Sequence, residues 1–310
     1  MKRTLIGWVP DLPPWLTATN PWLKPLAVAL AGVLVAGCTQ LGFFTANVAA
    51  EWSDYSRKTN LAYGPAAAQH LDLYLPAHAK NSPVVVFFYG GGWNSGDKSS
   101  YKFVGATLAS AGYIAVLPNY TLYPKARFPR FMQDAARAVA WARDHAAEWG
   151  GDPANLYVAG HSAGAHIAIM LALDEEYLKQ IGGSTQWLRG AIGLSGPYDF
   201  LPFKEPYLND LFGPESSFAS SQPINFVRTD APRVLLMHGT ADRRVSVNNT
   251  HSLEKALRAV GAPVSAIYFA GASHGDLAAA LSIPARHRLP VLSDMESFIS
   301  GNGPSDPPAR

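Results

Sequence analysis

A single cysteine in 310 residues removes several chemistries at the outset. With Cys38 alone there is no intrachain disulfide, no thiolate cage for a metal and no second thiol to mispair in an oxidising compartment. Charge is scarce too. Only 15% of residues are charged, and 25 basic side chains nearly balance 23 acidic ones, so nothing recommends nucleic acid as a partner. The chain also lacks H-E-x-x-H and paired His/Asp spacing, and neither a metal nor another cofactor is expected. The glycine run at 90–92 is without the Lys-Ser/Thr that a phosphate-binding loop places at fixed spacing.

The apolar run at 26–36 is too short to span a bilayer. Lys2, Arg3 and Lys24 precede it, and Val35-Ala36-Gly37 leads into Cys38. That layout resembles a bacterial lipoprotein signal peptide, its one departure being the Pro- and Trp-rich segment at 8–25. The expectation is a leader at 1–37, a lipid on Cys38 and a chain anchored to a membrane of the bacterial cell envelope. Removing Lys2, Arg3, Lys24 and Asp11 with the leader leaves 22 basic and 22 acidic residues. Residues 38–60 then read as a tether, on which Trp52 and Tyr55 can dock. Residues 61–300 read as one domain, and 301–310 as a disordered tail.

Within the domain, apolar runs alternate with helical patterns. Residues 69–75 alternate like an antiparallel strand, whereas 84–89, 113–117, 156–160, 191–195, 233–238 and 264–269 are continuous apolar runs. Strands buried on both faces look like this. Phe131, Ala135, Ala138, Ala142 and Ala146 form a stripe on a helix over 131–149, closed by Gly150-Gly151. The alternation predicts an α/β fold with a mostly parallel, doubly wound sheet, helices on both faces and a small cap. Two stretches interrupt it, 174–189 and 198–232, and both are expected as loops or short helices contributing to a lid.

The strongest local signal is Gly160-His-Ser-Ala-Gly164, between a short buried strand and a helix rich in small residues. A serine at a strand-to-helix turn is pushed out of the sheet, next to N–H groups at a helix start that can hold an oxyanion. Asp242 follows one buried strand and His274 the next, giving the order Ser162, Asp242, His274. Asp276 is the nearest rival acid, better placed to cap the helix that follows. Other histidines compete less well: His161 adjoins the serine and should face away from it, His166 lies one turn into the helix, and His238 sits at a strand end. Tyr89-Gly-Gly-Gly-Trp93 runs off a strand, so Gly91 and Gly92 join Ala163 as candidate oxyanion donors.

Together, Tyr-Gly-Gly-Gly-Trp, Asn119-Tyr-Thr-Leu-Tyr-Pro124, Gly-His-Ser-Ala-Gly, His238-Gly-Thr-Ala-Asp242 and Ser273-His-Gly resemble α/β-hydrolase carboxylesterases of the hormone-sensitive-lipase-like and bacterial feruloyl-esterase-like groups. The resemblance covers roughly residues 65–300. Tyr89 departs from it, since many relatives carry histidine before the glycines. It implies an α/β-hydrolase fold and a serine hydrolase of small carboxylic esters. Ser162 would be nucleophile, His274 base and acid, Asp242 the orienting carboxylate, and Gly91, Gly92 and Ala163 the oxyanion hole. The alternatives are an arylformamidase-type amide hydrolase and a non-catalytic surface binding module. Short inserts, interrupted by Pro202, Pro206, Pro214 and Pro223, favour short acyl groups, with Phe200, Phe203, Tyr207, Phe212 and Phe218 as candidate pocket lining.

Overall fold

Every apolar run singled out between residues 84 and 269 becomes a strand of one sheet. The computed structural model describes residues 42–51 and 53–301. The predicted leader, Cys38, Trp52 and residues 302–310 lie outside the described residues. The strands are β1 Tyr55–Ala62, β2 His70–Pro76, β3 Ser82–Phe88, β4 Ile114–Pro118, β5 Gly151–His161, β6 Leu188–Leu194, β7 Arg233–Gly239 and β8 Val264–Phe269. Their order across the sheet is β1-β2-β4-β3-β5-β6-β7-β8. The first pairings, β1 with β2 and β2 with β4, are antiparallel, and all pairs from β4 to β8 are parallel. This is the α/β-hydrolase arrangement.

Leu156, Val158 and Ala159 of β5 are fully buried although neighbours point to opposite faces, so both faces of the sheet centre are covered. The cover comes from the helices, which before β1 are α1 over residues 42–50, between the strands α2 Lys102–Ser110, α3 Arg130–His145, α4 Ala163–Leu173, α5 Glu176–Lys179, α6 Pro206–Phe212 and α7 Asn248–Ala259, and after β8 α8 Asp276–Ala279 and α9 Val291–Ile299. In α3 the buried stripe includes Phe131, Ala135, Ala138 and Ala142. A short 3-10 turn extends it to Trp149, and Gly150 closes it at φ 78°.

Two expectations need correction. Residues 38–60 do not form a tether throughout: α1 docks through Asn47, whose amide donates to the Ser99 and Ser100 carbonyls and whose oxygen takes the Phe103 N–H. Strand β1 then begins at Tyr55, whose ring lies 5.7 Å from that of Tyr74. It escaped notice because residues 56–60 are exposed and polar, and backbone pairing to β2 holds an edge strand without an apolar pattern. The second correction concerns 174–189. This segment leaves α4 at Leu173, the end remote from Ser162, and leads into β6, so none of it lines the cleft at Ser162. Residues 198–232 do border that cleft, as α6 flanked by 3-10 turns.

Candidate active site

The chain reaches the cleft where β5 hands over to α4. Ser162 sits between them at φ 57°, ψ −121°, a strained conformation for a non-glycine residue. The flanking glycines make this turn possible. A Cβ on Gly160 would come within 2.2 Å of the Gly164 oxygen, and one on Gly164 within 2.0 Å of the Phe88 oxygen. Any side chain at either position would force the strand and helix apart.

Two later strand ends bring up the partners. His274, past β8, places Nε2 2.9 Å from the Ser162 Oγ and Nδ1 2.7 Å from the Asp242 Oδ2. Asp242, past β7, has a fully buried side chain, whereas that of His274 is 17% exposed, leaving the imidazole within reach of a ligand. The other Asp242 oxygen takes the N–H groups of Arg244 and Val245 at 2.8 and 2.9 Å. Burial opposes ionisation of Asp242, but hydrogen bonds from His238 and His274, the His274 charge and the Val245 amide outweigh it. The carboxyl is held well below the usual range. Asp276 is not part of this chain of contacts: its carboxylate accepts from the Ser273 N–H and hydroxyl at the start of α8.

Gly92 and Ala163 line the cleft beside Ser162. Gly91 lies one residue earlier in the same turn, its carbonyl accepting from Asn94, Ser95 N–H and the Ser95 hydroxyl. Among the described residues, none of the N–H groups of Gly91, Gly92 and Ala163 donates a backbone hydrogen bond. Tyr89, the departure from the resembling groups, is buried and stacks on Tyr120 at 4.6 Å, while the Tyr120 hydroxyl donates to the Tyr89 carbonyl at 2.9 Å. The loop thus rests on an aromatic layer.

The cleft holds about 400 Å³. Phe200, Phe203 and Tyr207 line it as expected, together with Trp93 and Leu201. Phe212 is instead a core residue, fully buried with its ring 5.0 Å from Trp93. Phe218 lines a separate outer groove with Leu201, Pro202 and Phe203. Three contacts at the site have no counterpart in the sequence reading. Tyr207 donates to the Gly92 carbonyl at 3.2 Å, His238 stands 3.2 Å from Asp242, and His161 lies against His274, ring centroids 4.9 Å apart. His238, in His-Gly-Thr-Ala-Asp, and His161, in Gly-His-Ser-Ala-Gly, each had a motif to flag it, and Tyr207 had none. Among the described residues, no group of three or more His, Cys, Asp or Glu side chains is arranged to hold a metal ion.

The similarity of the chain to known proteins follows the same lines. Isoprenylcysteine alpha-carbonyl methylesterase ICME of Arabidopsis thaliana is 28% identical over 242 residues, 71% of this chain and 57% of that protein. Esterase LipC of Mycobacterium tuberculosis is 30% identical over 244 residues, 71% of this chain and 60% of its own. The chain therefore spans under two thirds of these curated relatives. Among solved structures, Thermogutta terrifontis esterase 2 phosphoramylated by tabun superposes with a TM-score of 0.67 at 25% identity, covering 82% of this chain and 97% of that one. A truncated carbohydrate esterase from gut microbiota gives 0.67 at 22% identity, covering 81% and 97%, and shares the fold. The segment that carries the Gly-Gly-Gly turn, the serine elbow and Asp242 matches one family over residues 71–257, and the chain belongs to that family, BD-FAE.

Proposed function

We propose that this chain is a serine hydrolase that cleaves carboxylic esters with small acyl groups. The observation that carries the reading is the pair of hydrogen bonds from Ser162 to His274 and from His274 to Asp242, 2.9 and 2.7 Å long, at a strained serine on a cleft wall. The Ser162 Oγ attacks the acyl carbon while His274 Nε2 takes its proton, and Asp242 holds the imidazole in the required tautomer and stabilises its cation. The developing oxyanion is held by the N–H groups of Ala163, Gly92 and Gly91. His274 then protonates the departing alcohol, and water activated by the same nitrogen releases the acid. Relatives named as esterases support an ester as the bond cleaved. We further propose that Cys38 carries a lipid that anchors the protein to a bacterial envelope membrane, on the strength of the apolar run and small residues before it.

The test is hydrolysis of p-nitrophenyl acetate together with labelling by a fluorophosphonate. The parent protein is expected to turn over the ester and to take up one label on Ser162. Ser162→Ala is expected to lose the label and on the order of a millionfold in turnover while keeping its fold. Unlabelled parent protein, or retained burst kinetics in Ser162→Ala, rules the reading out.

A further inference from the structure

Ser162, His274 and the turn beginning at Gly90 reach the cleft from the ends of three strands, β5, β8 and β3, and two buried side chains link all three. His161 Nε2 lies 2.9 Å from the His274 carbonyl oxygen, and its Nδ1 lies 3.1 Å from the Tyr101 hydroxyl. A carbonyl only accepts, so Nε2 carries the proton and Nδ1 accepts from Tyr101. The Tyr101 ring in turn packs 6.1 Å from that of Tyr89, the residue that leads into Gly90. Packing leaves no slack here: a Cβ on Gly90 would stand 3.0 Å from both His161 Nδ1 and Ser162 Cβ.

The loop carrying His274 needs such a hold. It contains Gly271 at φ 71° and Gly275. Its other anchors fall on neighbours: Gly271 to the Thr240 hydroxyl, Ala272 to Ala241 and Ser273 to Asp276. None of them holds the backbone of His274, whose imidazole bonds Asp242 and Ser162.

We propose that His161 and Tyr101 are positioning residues that set the distance between His274 Nε2 and the Ser162 Oγ and tie both to the Gly90–Gly92 turn. The proposal rests on the serine-hydrolase reading above. Burial, reinforced by His274 alongside, pushes the His161 imidazole down to about 3, so it stays neutral and keeps one donor and one acceptor at working pH. A neutral link suits the place, because a second imidazolium beside His274 would oppose the cation that forms there during acyl transfer.

The experiment compares parent protein with His161→Leu, His161→Gln and Tyr101→Phe. The readouts are kcat and KM for p-nitrophenyl acetate, the rate of fluorophosphonate labelling and the melting temperature. A misplacement of the reacting groups by about 1 Å costs on the order of a hundredfold in rate, so His161→Leu is expected to lose about that much in kcat and labelling rate. KM is expected to stay within about twofold, since the cleft is untouched. His161→Gln, whose amide offers a donor at similar reach, is expected to recover most of the loss, and Tyr101→Phe to fall between. If His161→Leu does not fold, Tyr101→Phe, which lacks only the hydroxyl, carries the test. Folded variants that label and turn over like a labelled parent overturn this inference alone. A parent that takes no label overturns the hydrolase reading with it.

Discussion

His238 stands at the end of β7 with its Nε2 3.2 Å from the Oδ2 of Asp242, four residues later, and both side chains are fully buried. The same nitrogen lies 3.1 Å from the Val245 carbonyl, and the His238 Nδ1 lies 2.7 Å from the Thr250 hydroxyl. Since a carbonyl only accepts, Nε2 carries the proton and Thr250 donates to Nδ1. Asp242 Oδ2 is thereby approached by two imidazole N–H groups, one behind it and one, from His274, in front. An acid held from both sides keeps its charge and its orientation.

Asp242→Asn is therefore expected to be far more harmful than Asp276→Asn. Loss of the orienting carboxylate costs about ten-thousandfold in turnover in a well-studied triad, and the same order is expected here. Asp276→Asn is expected to change turnover little, because that carboxylate bonds to Ser273 rather than to His274. Comparing kcat of the two variants decides it, and a larger defect at Asp276 would reassign the acid.

The parts of the fold legible in the sequence are those where burial leaves a pattern. Val84–Phe88 of β3 and Leu235–Met237 of β7 are covered on both faces, so an unbroken apolar run marks them. Strand β1 has no such run, because Arg57, Lys58 and Thr59 face solvent while their backbone pairs with β2. The site divides in the same way. Ser162, Asp242 and His274 lie in short motifs, and close backbone approach imposes Gly160, Gly164 and Gly239 in the first two. Tyr101 meets His161 across 60 residues, and Tyr207 meets Gly92 across 115, with no local signature in either case. Residues 174–189 misled for the opposite reason: a break in alternation marks a loop but not the end of the sheet it occupies.

Acid stability gives a further prediction. Burial pushes His161 down to about 3 and His166, whose Nε2 donates to the Ser221 carbonyl at 2.7 Å, down to about 4. In the unfolded chain both imidazoles protonate near the ordinary value of about 6.5. Between those limits the unfolded state binds more protons, so stability is full above about pH 6.5, falls as pH drops below it and levels off beneath the folded values. Each histidine contributes up to about 1.4 kcal/mol per pH unit in that window. The double variant His161→Gln/His166→Gln is expected to lose less melting temperature than the parent between about pH 6.5 and about pH 4.5. Equal losses in parent and variant would show that other groups govern acid unfolding.

Cys38→Ser tests the proposed anchor. If Cys38 is the lipidation site, the variant is expected either to leave the membrane fraction or to accumulate with its leader attached, because the apolar run at 26–36 then has no cysteine to be modified and cleaved at. Fractionation of a bacterial host and the mass of the mature N-terminus give the readout. A variant that stays with membranes and loses its leader as the parent does would remove the lipoprotein reading.

Acyl length tests the cleft itself. About 400 Å³ beside Ser162, walled by Phe200, Leu201, Phe203 and Tyr207, accommodates a short acyl group. Beyond this wall lies an outer groove bordered by Leu201, Pro202, Phe203 and Phe218, and Leu201 is 40% exposed on the ridge between the two. A longer chain must cross that ridge into a groove open to water. Each added methylene then gains less than the about 0.8 kcal/mol of full burial. The specificity constant for p-nitrophenyl esters is expected to rise with chain length only until the cleft is filled, then to flatten or fall. Emptying the wall should move that limit: Phe203→Ala, which joins cleft and groove, is expected to shift the optimum to longer chains. A parent optimum at long chains, with activation at an oil–water interface, would mean instead that residues 198–232 open as a true lid.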